Sequence, residues 1–296
     1  MSEIRFLRLS IVFFVIIFSV VSCAPTKEIT IASKQPARIA LVLGAGASKG
    51  FAHIGVLKIL ETNRIPIHMI VGTSVGSFVG SLYAYGYNAF QLQKIALNIE
   101  KSDIIDFSIP DNGFIKGEML ENYINKLVNN TPLEKLKIPF YPVATNIQSG
   151  QEIVFATGNT GTAVRASCSI PGIFRPVNIS GQFYVDGGVV SPVAVDAARR
   201  LGADIVIAVD ISSDTDKDIP ENTIKTILKS VNIMYSKIAG IQLQKADIVI
   251  KPKVGHIGSA DFDKRHEAIM EGEKAAIEAM PKIISIIEGI KSDGRL

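Results

Sequence analysis

Two short apolar runs constrain the fold of this 296-residue chain more than any other feature. Residues 38–43 (Arg-Ile-Ala-Leu-Val-Leu) and 69–71 (Met-Ile-Val) each end at a glycine and lead through a glycine-containing turn into helix-forming sequence. A strand with one wet face alternates apolar and polar residues. An unbroken apolar run needs cover on both faces, which a parallel sheet between helix layers supplies. Further strands are expected at 136–145, 152–155, 183–185, 204–210 and 248–250. Helical stretches at 51–62, 77–85, 88–99, 117–128, 191–201, 223–244 and 261–290 separate most of them. The last is expected to restart at Pro281, since proline suits a first helical turn. This alternation implies a three-layer α/β/α fold with a mainly parallel sheet, whose strand-end motifs meet at the carboxyl edge.

The second run leads into Gly72-Thr73-Ser74-Val75-Gly76. Gly-x-Ser-x-Gly between a strand and a helix is the setting of a nucleophile elbow, which holds a serine hydroxyl clear of the sheet. Gly72 and Gly76 lack a Cβ, so strand and helix can approach closely. The helix behind Ser74 aims the positive end of its dipole at the site.

The first run empties into Gly44-Ala45-Gly46-Ala47-Ser48-Lys49-Gly50. Such a turn points several N–H groups into one concavity that suits an anion. A phosphate would want Gly-Lys-Ser/Thr, or a final glycine one residue earlier, and neither is present. An oxyanion formed during acyl transfer is the other candidate, and preorganised N–H groups are what it requires.

A serine also needs a base. The four histidines are His53, His68, His256 and His266. A carboxylate on a strand-end turn can act in their place, and Asp186-Gly187-Gly188 follows the apolar residues Phe183-Tyr184-Val185. Two arrangements are therefore open: a Ser74–Asp186 dyad, or a triad of Ser74 with Asp186 or Asp210 and His256. Ser74 on only the second strand disfavours the triad, since that fold builds several strands before its elbow. His53 reads as a satisfied structural histidine and Cys168 as a buried thiol. Residues 101–114 hold Ile104, Ile105, Phe107, Ile109 and Phe114 in an irregular stretch, a loop with satellite core contacts or else a lid or membrane-facing surface.

Taken together, these motifs resemble the patatin-like phospholipases. The likeness runs from about Ile39 to Asp210 and rests on residues 41–57, on Gly72 to Gly76 and on Asp186-Gly187-Gly188, with Ser169 to Phe174 as a flank. It implies a patatin-like fold, Ser74 as nucleophile and Asp186 as base. The oxyanion hole would come from the segment holding Gly44, Ala45, Gly46, Ala47 and Gly50, and the substrate would be a lipid ester. The chain departs from the pattern at Ala45 and Ala47, where consecutive glycines are usual, and at Lys49, where arginine is usual. Two readings of other classes stay open: a non-catalytic lipid-binding or envelope scaffold, and acyl transfer to an alcohol other than water.

Residues 1–9 carry Arg5 and Arg8, and 11–21 are nearly all apolar. As a helix that stretch would reach only about 16 Å, too short to span a bilayer, so residues 1–22 read as a signal peptide. Val20-Val21-Ser22-Cys23 resembles the lipobox of bacterial lipoproteins, which implies acylation of Cys23 as the new N-terminus and residence in the cell envelope. Ala24 in the next position favours the outer membrane where the organism has one. Residues 23–36 read as a tether, 37–212 as the catalytic domain, and 213–296 as a mainly helical extension on the same domain. With Cys23 so used, only Cys168 remains, which excludes a disulfide framework within one chain. A net charge of +3 and no basic run interleaved with aromatics argue against nucleic acid. No cofactor is called for, and no cluster at ligand spacing calls for a metal.

Overall fold

Every residue of β1 (Ile39–Leu43) and β2 (Met69–Thr73) is buried, as the unbroken apolar runs require. These strands belong to a computed structural model that describes residues 35–109, 112–212 and 219–296. The expected signal peptide, Cys23 and nearly all of the tether lie outside the described residues. Alternate side chains of the two strands feed different cores. Ile39, Leu41, Leu43 and Ile70 join the larger one, with α1 (Phe51–Thr62), α2 (Val75–Tyr85), α3 (Ala89–Asn98), α4 (Glu118–Leu127) and α5 (Thr160–Cys168). Ala40, Val42, Met69 and Val71 join the smaller one, with α6 (Val195–Arg200) and α7 (Thr223–Gln242). Helix α8 (Arg265–Ser292) covers α1 on the larger side. The result is the expected three layers.

The remaining strands are β3 (Phe140–Asn146), β4 (Glu152–Val154), β5 (Val177–Ile179), β6 (Gln182–Asp186), β7 (Ile205–Val209) and β8 (Ile248–Ile250). The sheet order is β5-β6-β3-β2-β1-β7-β8, with β4 also on β3. Strands β3, β2, β1, β7 and β8 pair in parallel, β4 and β6 each pair antiparallel with β3, and β5 pairs antiparallel with β6. Strand β8 pairs with β7 in the same sheet, and residues 36 to 296 form one unit.

Four local expectations need correction. Strand β3 starts at Phe140, because Leu133–Lys135 forms a 3-10 turn ahead of it. Helix α6 starts at Val195: the carbonyls just before it are engaged elsewhere, Ser191 accepting from Thr73 Oγ1 and Pro192 from Ala45 N. Helix α5 has no counterpart among the expected helices; its start is set by Asn159, whose Oδ1 accepts from Thr162 N at 2.8 Å. Helix α8 does not restart at Pro281 but runs through it. Proline leaves the carbonyl four residues earlier without a donor. Pro281 and that residue, Ile277, both lie on the exposed face, so the missing bond does not fall in the buried core.

The described part of the 101–114 loop is pinned by Asp106, whose carboxylate accepts from the N–H groups of Gly117, Glu118 and Met119 at the start of α4. Phe107 and Ile109 nonetheless stay 79% and 88% exposed. Among the described residues no helix is long and apolar enough to cross a membrane.

Candidate active site

The elbow is built where β2 passes into α2. Ser74 sits at φ 57°, ψ −126°, outside the regions open to L-residues without strain. Neighbours hold it there. Its N–H donates to Ser167 Oγ at 2.9 Å, and Ser167 Oγ donates to Val143 O at 2.6 Å. Its carbonyl accepts from Ser77 N at 2.8 Å and Ser77 Oγ at 2.6 Å. Gly76 is required by contact: a Cβ there would fall 2.1 Å from the Leu43 carbonyl oxygen. Gly72 faces the same limit against the backbone of Ser77, at 2.6 Å.

Asp186 reaches Ser74 by register. Thr73 pairs with Val143 on β3, and Ala144 pairs with Asp186 on the far side of β3. The residue after Thr73 and Asp186 therefore stand level across one intervening strand. The carboxyl edge collects them in an unexpected way. Strand β6 is antiparallel, so Asp186 enters from beyond that edge, because β3 overshoots β2 and carries β6 with it. Ser169 O accepts from Asp186 N at 2.8 Å, and Thr145 Oγ1 donates to Asp186 O at 3.0 Å.

The Asp186 side chain is fully buried. Oδ1 accepts from Gly188 N at 2.7 Å. Oδ2 meets no partner in bonding geometry. The hydroxyls of Ser74 and Tyr235 lie close enough to act on the carboxylate without making well-formed bonds to it. Burial pushes the carboxyl up from 3.8 to about 6, and the Ser74, Gly188 and Tyr235 donors pull against that. A base of this strength, next to a strained serine, is suited to taking its proton near neutral pH. Only the ionised carboxylate can do so. The kcat/KM for an ester is thus expected to fall about tenfold per unit below pH 6, as initial rates between pH 4.5 and 8 would show.

The glycine-rich turn holds fewer donors than its sequence offers. Gly44 N donates to Val209 O at 3.1 Å and Ala45 N to Pro192 O at 2.9 Å, which removes both from the expected hole. Gly50 serves packing, since a Cβ there would lie 2.1 Å from Val75 Cγ2. Gly46 and Ala47 keep N–H groups with no partner among the described residues. Ala47 adopts φ 50°, the left-handed geometry that a glycine would take without strain. Lys49 lies buried in the 3-10 turn Ala47–Gly50, and Gly187 packs on the Val143 carbonyl.

His256 sits in a loop, half exposed, with Nε2 2.6 Å from Glu267 Oε1. Asp210 binds the Ser212 N–H and hydroxyl. His53 is fully buried, and its Nε2–H donates to Gly44 O at 2.8 Å. Burial drives it down to about 4, so it stays neutral and fastens the end of β1. Two residues beside Ser74 and Asp186 carry no mark in the sequence around them. Ser167 lay in a run of small residues that marked no role. Tyr235 sits on α7, far outside the motifs; the Asp-Gly-Gly turn was its one signal, since a Cβ at Gly188 would lie 2.3 Å from the Tyr235 ring.

A cavity of about 420 Å³ opens beside Ser74. Phe51, Ile54, Phe78, Leu92, Ile173 and Leu228 are among the side chains that line it. Among the described residues, no three His, Cys, Asp or Glu side chains gather where they could hold a metal ion.

The family model for patatin-like phospholipase matches residues 41–199. Patatin-like phospholipase domain-containing protein 6 of the mouse is 34% identical over 189 residues, 61% of this chain and 14% of the relative. Lysophospholipase NTE1 of Pyricularia oryzae is 28% identical over 278 residues, 83% of this chain and 18% of the relative. An uncharacterised NTE family protein of Mycobacterium bovis is 29% identical, over 70% of this chain and 60% of the relative. The chain therefore spans a small part of the first two relatives and more than half of the third. Among solved structures, VipD from Legionella pneumophila shares the fold, with a TM-score of 0.57 at 13% identity over 84% of this chain and 67% of that one.

Proposed function

The chain belongs to the patatin-like phospholipase family, and from that premise we propose that it is a serine acyl hydrolase cleaving carboxylic esters of phospholipids or lysophospholipids. The observation that carries the reading is the strained Ser74 beside a buried Asp186 carboxylate of raised pKa, at the mouth of an apolar cavity. Asp186 takes the Ser74 proton as Oγ attacks the ester carbonyl. The oxyanion is received by the N–H groups of Gly46 and Ala47, with that of Val75 at the start of α2 beside them. The proton on Asp186 then passes to the departing alcohol. Water, deprotonated by the same carboxylate, releases the fatty acid from the acyl-enzyme.

The cavity supports an acyl chain as the group bound. It runs along α2 from Ser74 to Leu82, about 12 Å of helix, with walls almost wholly apolar. A chain buried there contributes binding that a short acyl group lacks. Ala96, on the α3 wall, gives a test. Ala96→Leu is expected to lower the ratio of kcat/KM for a palmitoyl over a butyryl ester by about tenfold. An unchanged ratio would place the chain elsewhere.

For localisation we propose that acylated Cys23 holds the protein on a bacterial envelope membrane, the outer one where present, with residues 24–36 as the tether. Metabolic labelling with an alkynyl fatty acid, lost in Cys23→Ala, tests this. The hydrolase reading itself is tested by ester turnover and by a serine-directed fluorophosphonate with peptide mass mapping: the adduct is expected on Ser74. A folded protein that turns over no ester and takes no adduct overturns it, and an adduct elsewhere overturns the assignment of Ser74.

A further inference from the structure

We propose that Tyr235 is a positioning residue of this site, its hydroxyl donating to Asp186 Oδ2 and turning the carboxylate so that the other lone pair of Oδ2 faces Ser74. The inference rests on the dyad reading above and adds a third group to it, from a segment outside the residues the family model covers.

Two polar atoms carry the argument. Tyr235 is 4% exposed, and its hydroxyl is buried without a hydrogen-bond partner. Asp186 Oδ2 is the other buried atom without one at this place. A lone unpartnered phenol in a core is destabilising, so a phenylalanine would serve better if packing were the only role. Here the phenol lies within reach of the Asp186 carboxylate, and one group is a donor where the other keeps an unpaired acceptor. The contact is also built in. Gly188 has no side chain, and a Cβ there would come within 2.3 Å of Tyr235 Cε2 and 2.8 Å of its hydroxyl oxygen. The ring thus lies on the turn whose Gly188 N–H already holds Oδ1. With Oδ1 fixed on one side and Oδ2 held by the phenol, rotation about the Cβ–Cγ bond of Asp186 is arrested.

The other groups facing Asp186 do not duplicate this role. Ser74 faces it from the elbow. The Cys168 thiol faces it from the end of α5 and is kept neutral by burial. Thr145 binds the Asp186 backbone carbonyl, not the carboxylate. Burial and the adjacent carboxylate push the Tyr235 phenol well above its ordinary range, so it is a donor throughout the working pH range.

A donor to the ionised carboxylate lowers its pKa, and removing that donor raises it. Tyr235→Phe deletes one oxygen. In the full-length protein in detergent it is expected to lower kcat for a fixed ester about 10- to 100-fold with KM within twofold, the range of a hydrogen bond to a charged group. The acid limb of kcat/KM and of fluorophosphonate labelling is expected to move up by about one pH unit. Val231→Ala, one helical turn away and without a hydroxyl, is expected to lower the melting temperature and leave the limb in place. A second readout needs no turnover. With 3-fluorotyrosine at position 235, the 19F resonance is expected to titrate with a midpoint near that of the acid limb, and the titration is expected to vanish in Asp186→Asn.

A folded Tyr235→Phe protein with the wild-type limb and kcat, or a 19F resonance flat across the limb, overturns the assignment of Tyr235 and leaves the dyad standing. Ser74→Ala and Asp186→Asn are measured alongside. If turnover survives either change, the dyad fails, and this proposal fails with it.

Discussion

Replacing Ser74 by alanine is expected to lower kcat on a long-chain ester by about 10⁴- to 10⁶-fold, the scale seen when an acyl-transfer nucleophile is removed. KM should change little, because the cavity and the Gly46–Ala47 turn remain. The same substitution is expected to abolish fluorophosphonate labelling, so a trace contaminant could not account for residual turnover. The protein is expected to keep its fold, since the Ser74 bonds that hold the elbow, to Ser167 and Ser77, run through its backbone. Glycine at this position separates chemistry from strain. The observed φ and ψ cost a side-chain-bearing residue about 1–3 kcal/mol, which glycine largely avoids. Ser74→Gly should therefore be as inactive as alanine but melt higher. Equal melting temperatures for the two variants would show that the elbow stores no strain.

Asp186→Asn is the second large effect, and it has two opposite signs. Activity is expected to fall about 10³- to 10⁴-fold, as for loss of a general base. Stability at pH 7 is expected to rise. The carboxyl titrates near 6 in the folded chain against 3.8 in its ordinary setting, so the folded state holds its proton more tightly. Stability from this group is therefore full below 3.8 and is lost as pH rises through 6. At pH 7 the ionised, buried carboxylate costs the protein up to ~3 kcal/mol, which asparagine does not. The stability difference between the two proteins should thus shrink towards zero as pH is lowered from 7 to below 4. His53 acts in the reverse sense: its lowered value, about 4, means stability is lost as pH falls from 6.5 towards 4. It is common to both proteins and cancels in the difference. A denaturation series showing Asp186→Asn no more stable than wild type at pH 7 would mean that the carboxylate is not held under this penalty.

Ser74 and Asp186 thus both sit at positions that burial or backbone strain makes unfavourable, and the surrounding core compensates. Ser167 illustrates how. One hydroxyl binds the Ser74 N–H and the Val143 carbonyl together, tying the elbow to the strand that also carries Asp186. Nothing in the sequence around Ser167 announces this, because its two partners lie 93 and 24 residues away.

What the sequence alone determined was whatever depends on neighbours along the chain. Consecutive apolar residues at 39–43 and 69–71 demanded two-sided burial, and β1 and β2 have it. Glycines at 72 and 76 marked a turn that tolerates no Cβ, and the Asp-Gly-Gly turn marked a strand end. Tertiary structure decided what depends on register and on which backbone groups are already bonded. It turned β6 antiparallel and still delivered Asp186 to Ser74, because β3 outruns β2. It withdrew Gly44 and Ala45 from the free donors of the glycine-rich turn by pairing their N–H groups with Val209 and Pro192. It let α8 pass through Pro281 because Pro281 and Ile277 lie on the exposed face of the helix. It also set Tyr235 on Gly188, a contact between segments that no local period or motif connects. Periodicity and turn chemistry are properties of a few adjacent residues, whereas hydrogen-bond partners across a sheet are settled only when the whole core closes.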